Sequence, residues 1–229
     1  MLFTLEHVRA NIRNREGRRV FFLGKGDQLT AEARDFLNHE RIPVLPAQEA
    51  KIDRYRLLGG GFLEEKPEHM THLYGDVLVP KTHPRIRFRG AMDLLEAELL
   101  LAALAAPRWQ KELEEILDFA RKLIRWEVME EPVPQGTLCG MGPEEIRRRS
   151  HVPQEYYGQP HFMPSPADGA ALLQLNRARC AARQAELAAV AAFLDREGTP
   201  RRTDLVQALN RLSSMLYILM LRQKSEKNL

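Results

Sequence analysis

A mainly α protein, a helical bundle preceded by a small N-terminal β-α-β unit, is what three features of this sequence predict. Two long C-terminal segments, residues 172–195 and 204–222, carry apolar side chains at helical spacing. Near residue 85 the pattern changes from short apolar runs broken by turn residues to sustained helical repeats. The chain has 229 residues, 44% of them hydrophobic, which suits one bundle core and a small extra module.

In chain order, residues 2–14 read as a short amphipathic helix with Leu2, Leu5, Val8 and Ile12 on one side. Residues 20–23 read as a strand, Gly24, Lys25, Gly26 and Asp27 as a turn, residues 29–39 as a helix capped by Thr30, and residues 42–45 as a second strand. This module is expected to span 1–56. Gly59, Gly60 and Gly61 then mark a flexible junction, and 57–84 reads as an irregular linker. The bundle is expected over 85–229. Its helices are 91–106, 109–129 with the apolar face Leu113, Ile116, Leu117, Ala120 and Leu123, a short one at 144–150, and the two C-terminal ones. Residues 151–169 hold four prolines and read as a loop.

In 172–195 the residues Leu175, Ala178, Ala182, Ala185, Ala189 and Ala192 form a seam of small side chains, which permits close helix approach. Arg179, Arg183 and Glu186 lie one position further round, at i, i+4 and i+7, and positions 174, 177, 181, 184 and 188 are expected to face away. A second polar line, Asn210, Arg211, Ser213 and Ser214, runs through the last helix. Arginines beside a core seam need an anionic partner, because an unpaired desolvated charge costs several kcal/mol. The spacing leaves two readings open: a grip on a polyphosphate, or an i, i+3 ion pair between Arg183 and Glu186. Asn210 is equally a packing polar group or a reader of an adenine edge or ribose hydroxyl. Asp93, after Arg85, Arg87 and Arg89, either stabilises a helix N-terminus or pairs across helices with a site arginine.

Net charge is only +3, with 34 basic and 31 acidic residues. That argues against non-specific nucleic-acid binding, which shows a basic stripe. Arg147, Arg148 and Arg149 form the one dense basic run and read as a solvated face. The two cysteines, Cys139 and Cys180, make no CxxC, so a reducing cytosol is expected. No apolar run reaches the roughly 18 residues of a membrane span, and the first residues carry no signal-peptide pattern, so no membrane role is expected. His69 and His72 form an HxxH without further ligands, and no HExxH or Cys/His cluster is present, which disfavours a zinc hydrolase or di-iron bundle. No nucleophile elbow appears, and residues 24–27 lack P-loop spacing.

Three ordered motifs carry a family resemblance. Residues 204–221, DLVQALNRLSSMLYILML, strongly resemble the last helix of the ethanolamine-utilization branch of the PduO-like corrinoid (cobalamin) adenosyltransferases, whose wider motif is NRLSD. Arg179-x-x-x-Arg183-x-x-Glu186 resembles that family's RxxxRxxE helix, and 81–95, KTHPRIRFRGAMDLL, is similar to its K-x-D-P-R…G-x-x-D-E-L segment. Thr71, His72 and Leu73, Ser150 and His151, and LTAEARDFL at 29–37 extend the likeness over nearly the whole chain.

The resemblance implies a helical bundle that assembles as a homo-oligomer with active sites between subunits. It implies that cob(I)alamin attacks the 5′ carbon of ATP, held with Mg²⁺, to give adenosylcobalamin and triphosphate. Carried over residue by residue, Arg183 contacts the ATP phosphates. Arg179 pairs with Asp93 at the subunit interface. Glu186 and Asn210 contact the nucleotide, and Lys81 follows the phosphate loop. Phe162, with Met163 beside it, faces the corrinoid. The implied setting is the cytoplasm or a bacterial microcompartment, with a corrinoid reductase and a shell protein or lyase as partners.

Two departures stand out. The glycine-rich TRTGDxGxT loop of the relatives is replaced by residues 71–80, with Gly75 and Asp76 its nearest echo. The histidine and CCxxC motif frequent in the ethanolamine branch is missing, so no dedicated transition-metal site is expected. Two other readings remain: a non-catalytic corrinoid- or nucleotide-binding or scaffold protein of a microcompartment, and a plain structural bundle. For the N-terminal module the expectation is docking or encapsulation.

Overall fold

The computed structural model describes residues 1–15, 18–47, 54–195 and 197–227. Residues 48–53, inside the module expected over 1–56, lie outside the described residues. The chain divides into two compact units, Met1–His83 and Pro84–Leu229.

In the first unit, β1 (Leu2–Phe3) precedes α1 (Leu5–Asn11), which Thr4 caps by accepting from the His7 backbone. The helix expected over 2–14 is shorter because Leu2 and Phe3 pair with β4 (Gln28–Leu29) instead. β2 (Arg13–Arg15) runs antiparallel to β3 (Arg18–Leu23). β3 is parallel to β5 (Val44–Pro46), and α2 (Ala31–His39) makes the crossover. This is the expected β-α-β unit. Thr30 caps α2 by accepting from the Ala33 N–H at 3.3 Å.

Residues 57–84 are not irregular. β6 (Tyr55–Leu57), β7 (Phe62–Leu63), β8 (Met70–Tyr74) and β9 (Val77–Pro80) form one sheet in the order β7-β6-β9-β8. The three glycines are not a junction between units but the turn from β6 to β7. Gly60 and Gly61 adopt φ of 97° and 91°, a conformation open to glycine at little cost, and the Leu57 N–H donates to the Gly61 carbonyl. Residues 71–80 are a β-hairpin with Gly75 and Asp76 in its turn, where Asp76 accepts from Nε and Nη2 of Arg56 at 2.7 and 2.8 Å. That guanidinium holds the Asp76 carboxyl below its ordinary value.

The second unit is the bundle: α3 (Pro84–Ala105), α4 (Gln110–Val128), α5 (Pro143–His151), α6 (Pro153–Tyr157), α7 (Gly169–Phe193) and α8 (Thr203–Lys227). α3 packs on α4 and α7, and α7 on α8, which also receives α5. The seam of α7 is buried from Leu175 to Ala189, as its spacing predicts, and Ala192 packs on the core edge. Ala181, expected to face away, is buried too. From Leu212 onward α8 buries side chains on several sides, because α4, α5, α6 and α7 all touch it.

α3 starts seven residues before the expected position of 91. Proline is well tolerated in a first helical turn, since its missing N–H has no intrahelical acceptor there. Arg85 and Arg89, one turn apart, converge on Glu127 of α4, whose side chain is 0% exposed. Arg85 Nε lies 2.5 Å from one carboxylate oxygen and Arg89 Nε 2.8 Å from the other. Buried Glu98 likewise pairs with Arg177 of α7. Among the described residues, no helix is long and apolar enough to cross a membrane.

Candidate functional site

The two polar lines meet along the α7–α8 contact. The helices run in opposite directions, so a higher number on one faces a lower number on the other. Asn210 Nδ2 donates to Glu186 Oε1 at 2.9 Å. Further along, Arg183 shares a groove with Ser213 and Ser214. Beyond that, the Arg179 guanidinium carbon lies 5.9 Å from the centre of the Tyr217 ring. The i, i+4, i+7 line Arg179, Arg183, Glu186 is thus matched by Tyr217, Ser214 and Asn210 at the same spacing.

Arg211 Nη1 donates to Asn210 Oδ1 at 2.6 Å, which fixes the orientation of the carboxamide so that its nitrogen faces Glu186. The Arg211 side chain is only 11% exposed and borders a cavity of about 100 Å³ lined by Phe119, Met141 and Ile146 among others. Ser213 Oγ donates back to the Asn210 carbonyl at 2.9 Å.

Glu186 is therefore committed to Asn210, and the Arg183–Glu186 ion pair that spacing allows does not form. Arg183 is exposed and makes no hydrogen bond or ion pair among the described residues. Arg179, half-buried, donates through Nε to Asn176 Oδ1 at 3.2 Å and has no carboxylate partner among the described residues. Neither arginine is neutralised by a carboxylate among the described residues.

The groove encloses about 320 Å³ and is lined by Arg179, Arg183, Ser213, Ser214 and Tyr217. Its far wall is the proline-rich segment after α6, through His161 and Phe162, with Ser150 and His151 at the end of α5. Phe162 is half-buried and stacks on Tyr217, with ring centres 6.1 Å apart. Lys224 Nζ sits 4.6 Å from the centre of the Phe162 ring and pairs with Asp168 at 2.7 Å. Met163, the other expected corrinoid contact, is 88% exposed. Burial raises the Tyr217 phenol above its ordinary value, against the opposing pull of a hydrogen bond from the Phe162 backbone and of the Arg179 charge.

Asp93 is exposed in the third turn of α3. A role in stabilising a helix N-terminus is thereby excluded, because the helix begins nine residues earlier. Within the chain Asp93 does not pair with Arg179. Lys81 belongs to the first unit, at the end of β9, where its Nζ lies 3.0 Å from Glu68 Oε1. Among the described residues, no group of three or more His, Cys, Asp or Glu side chains could hold a metal ion.

Of the residues expected at the site, Arg179, Arg183 and Phe162 line this one groove, and Tyr217 and His161, not among those expected, line it with them. The signal for Tyr217 was present, since it continues the face of Asn210 and Ser214. His161 carried none, because a loop residue's neighbours depend on how the loop folds back.

A family model described as cobalamin adenosyltransferase matches residues 62–223. The chain is 34% identical over 158 residues to the corrinoid adenosyltransferase EutT of Salmonella typhimurium (strain LT2), an alignment covering 69% of this chain and 59% of the relative. It is 34% identical over 159 residues to the protein of the same name from Escherichia coli K12, with the same coverage. The chain thus matches about three fifths of the length of these relatives. No solved structure matches it. With a family model that matches well over half of the chain, including most of the bundle, this chain belongs to the cobalamin adenosyltransferase family.

Proposed function

We propose that this chain is an ATP:corrinoid adenosyltransferase acting in ethanolamine utilization. The observation that carries the reading is the groove in which two arginines without carboxylate partners among the described residues face an aromatic loop. Cob(I)alamin is the nucleophile, and its cobalt electron pair forms the bond to C5′ of ATP. The C5′–oxygen bond breaks, and its electrons leave with triphosphate. Co(I) needs no general base, so the protein's tasks are orientation and charge stabilisation.

Arg183, exposed and without an ion pair among the described residues, takes the phosphates of ATP, which arrives as its Mg²⁺ complex. Glu186 and Asn210, already oriented by Arg211, take the nucleoside hydroxyls and base edge. Phe162 and Met163 approach the corrinoid and exclude water and a lower axial ligand, which eases reduction of Co(II).

A second copy of the chain completes the site. Leu94, Leu100, Leu101 and Leu104 form an exposed stripe on α3 next to Asp93, with Leu104 81% exposed, and Leu187 is exposed on the neighbouring α7. So large an apolar face on adjacent helices suits subunit contact. Asp93 of one copy then pairs with Arg179 of another. A corrinoid reductase supplies Co(I), and the setting is cytoplasmic, inside or beside a microcompartment with its shell or lyase.

A second reading is a corrinoid- or nucleotide-binding scaffold protein without the chemistry. It is favoured by the hairpin at 71–80, whose Asp76 is occupied by Arg56. An anaerobic assay with cobalamin, a chemical reductant and ATP–Mg²⁺ separates the two. A light-sensitive alkylcobalamin spectrum is expected. Bound four-coordinate cob(II)alamin without product would overturn the enzyme and leave the scaffold.

A further inference from the structure

The hydroxyl of Tyr217 lies 3.0 Å from His161 Nδ1, and His161 Nε2 lies 3.3 Å from the backbone carbonyl of His151. A carbonyl can only accept, so Nε2 carries the proton. In the neutral ring Nδ1 is then the acceptor, and Tyr217 donates to it. The two rings are almost parallel, 11° apart, with centres separated by 5.8 Å. Both nitrogens of His161 are thereby engaged, one to α8 and one to the end of α5. A histidine so held is not free to ligate the cobalt of a corrinoid.

Phe162, the next residue, stacks on the same Tyr217 ring at 25°. The Arg179 guanidinium lies 5.9 Å from that ring as well. Tyr217 is the one side chain in the groove that touches the aromatic loop and an arginine of the polar line. Gly158 and two prolines, Pro160 and Pro164, leave this segment without regular structure of its own. Its position at the groove depends on what it is tied to.

The geometry points to Tyr217 as a positioning residue, which through its hydrogen bond to His161 holds Phe162 at the height where it packs against the corrin face. This rests on the adenosyltransferase reading above. The tyrosine takes part in no bond change. It reduces the conformational freedom that the loop would lose on binding corrinoid, so its contribution appears in corrinoid affinity and in cobalt coordination. ATP binding, served by Arg183, Glu186 and Asn210, is unaffected.

Tyr217→Phe removes the hydroxyl and keeps the stacking ring. In the ligand-free protein, chymotryptic cleavage after Phe162 is expected to accelerate severalfold, with unchanged helical circular dichroism. In turnover, KM for cobalamin is expected to rise severalfold and KM for ATP to stay put. The four-coordinate fraction of bound cob(II)alamin, read from its absorbance, should fall at least twofold. His161→Ala should give the same pattern, and the double variant should be no worse than either alone. A Tyr217→Phe protein with wild-type cleavage, KM and coordination overturns the inference. Faster cleavage with unchanged corrinoid behaviour leaves the hydrogen bond but overturns its role. Wild-type protein that binds no corrinoid overturns the adenosyltransferase reading itself, and the role of the clamp with it.

Discussion

Asn210 of α8 donates to Glu186 of α7 at 2.9 Å, and its carboxamide oxygen is held by Arg211 at 2.6 Å. This bond marks the register of the two antiparallel helices, and the same register brings Ser214 to Arg183 and Tyr217 to Arg179. The polar lines are thus two sides of one strip.

Asn210→Ala leaves the Glu186 carboxylate and Arg211 Nη1 without this partner. A stability loss of about 1–3 kcal/mol is expected from the unmade hydrogen bonds, measured by urea unfolding. In the adenosyltransferase assay KM for ATP should rise, with KM for cobalamin little changed. Equal effects on both substrates would argue that the pair is only structural.

Arg183→Ala removes an exposed guanidinium that has no partner among the described residues, so thermal stability should shift by no more than about 0.5 kcal/mol. Adenosyl transfer should fall about 10²–10³-fold, the usual loss when one donor to a developing anion is removed. Full turnover in this variant would remove Arg183 from the phosphate site.

Glu127→Gln tests the bundle rather than the groove. Its carboxylate is 0% exposed and answers both Arg85 and Arg89. Neutralising one side of a buried pair costs about 3–5 kcal/mol, and for a chain of this size the melting temperature should drop on the order of 10 °C. Differential scanning calorimetry reads this directly. A drop of a degree or less would show that the arginines find other compensation.

Asp168 is held below the ordinary carboxylate value, first by Lys224 and then by the Ser165 backbone N–H. A depressed folded value adds stability above the unfolded value of about 3.9, and that stability is lost as pH falls through the folded value. Asp168→Asn should be less stable than wild type at pH 7. It should also show a shallower loss of stability below about pH 4, seen by chemical unfolding at a series of pH values. Identical acid slopes would assign the acid sensitivity to other carboxylates.

The class of the bundle, the seam of α7 and the apolar face of α4 were legible because each is a matter of local periodicity. A helix repeats every 3.6 residues, so which side chains share a face is written in their spacing. The start of α3 was not legible. Pro84 and Gly90 read locally as breakers, and only Glu127, forty-two residues away from Arg85, shows what the arginines of the first turns are for. The sheet over 55–80 was missed for a similar reason. Its strands are two to five residues long, too short for a periodic signal, and are defined by their pairing.

By itself the sequence determined the α class, the apolar face of α4, the small-residue seam of α7, the two polar lines and the family those lines belong to. Tertiary structure alone decided that the lines oppose each other, that Glu186 bonds Asn210 instead of Arg183, and that His161 and Phe162 close on Tyr217. Contacts within a helix follow from fixed local geometry, whereas contacts between helices and loops depend on register and chain return. Those are set by the packing of the core as a whole.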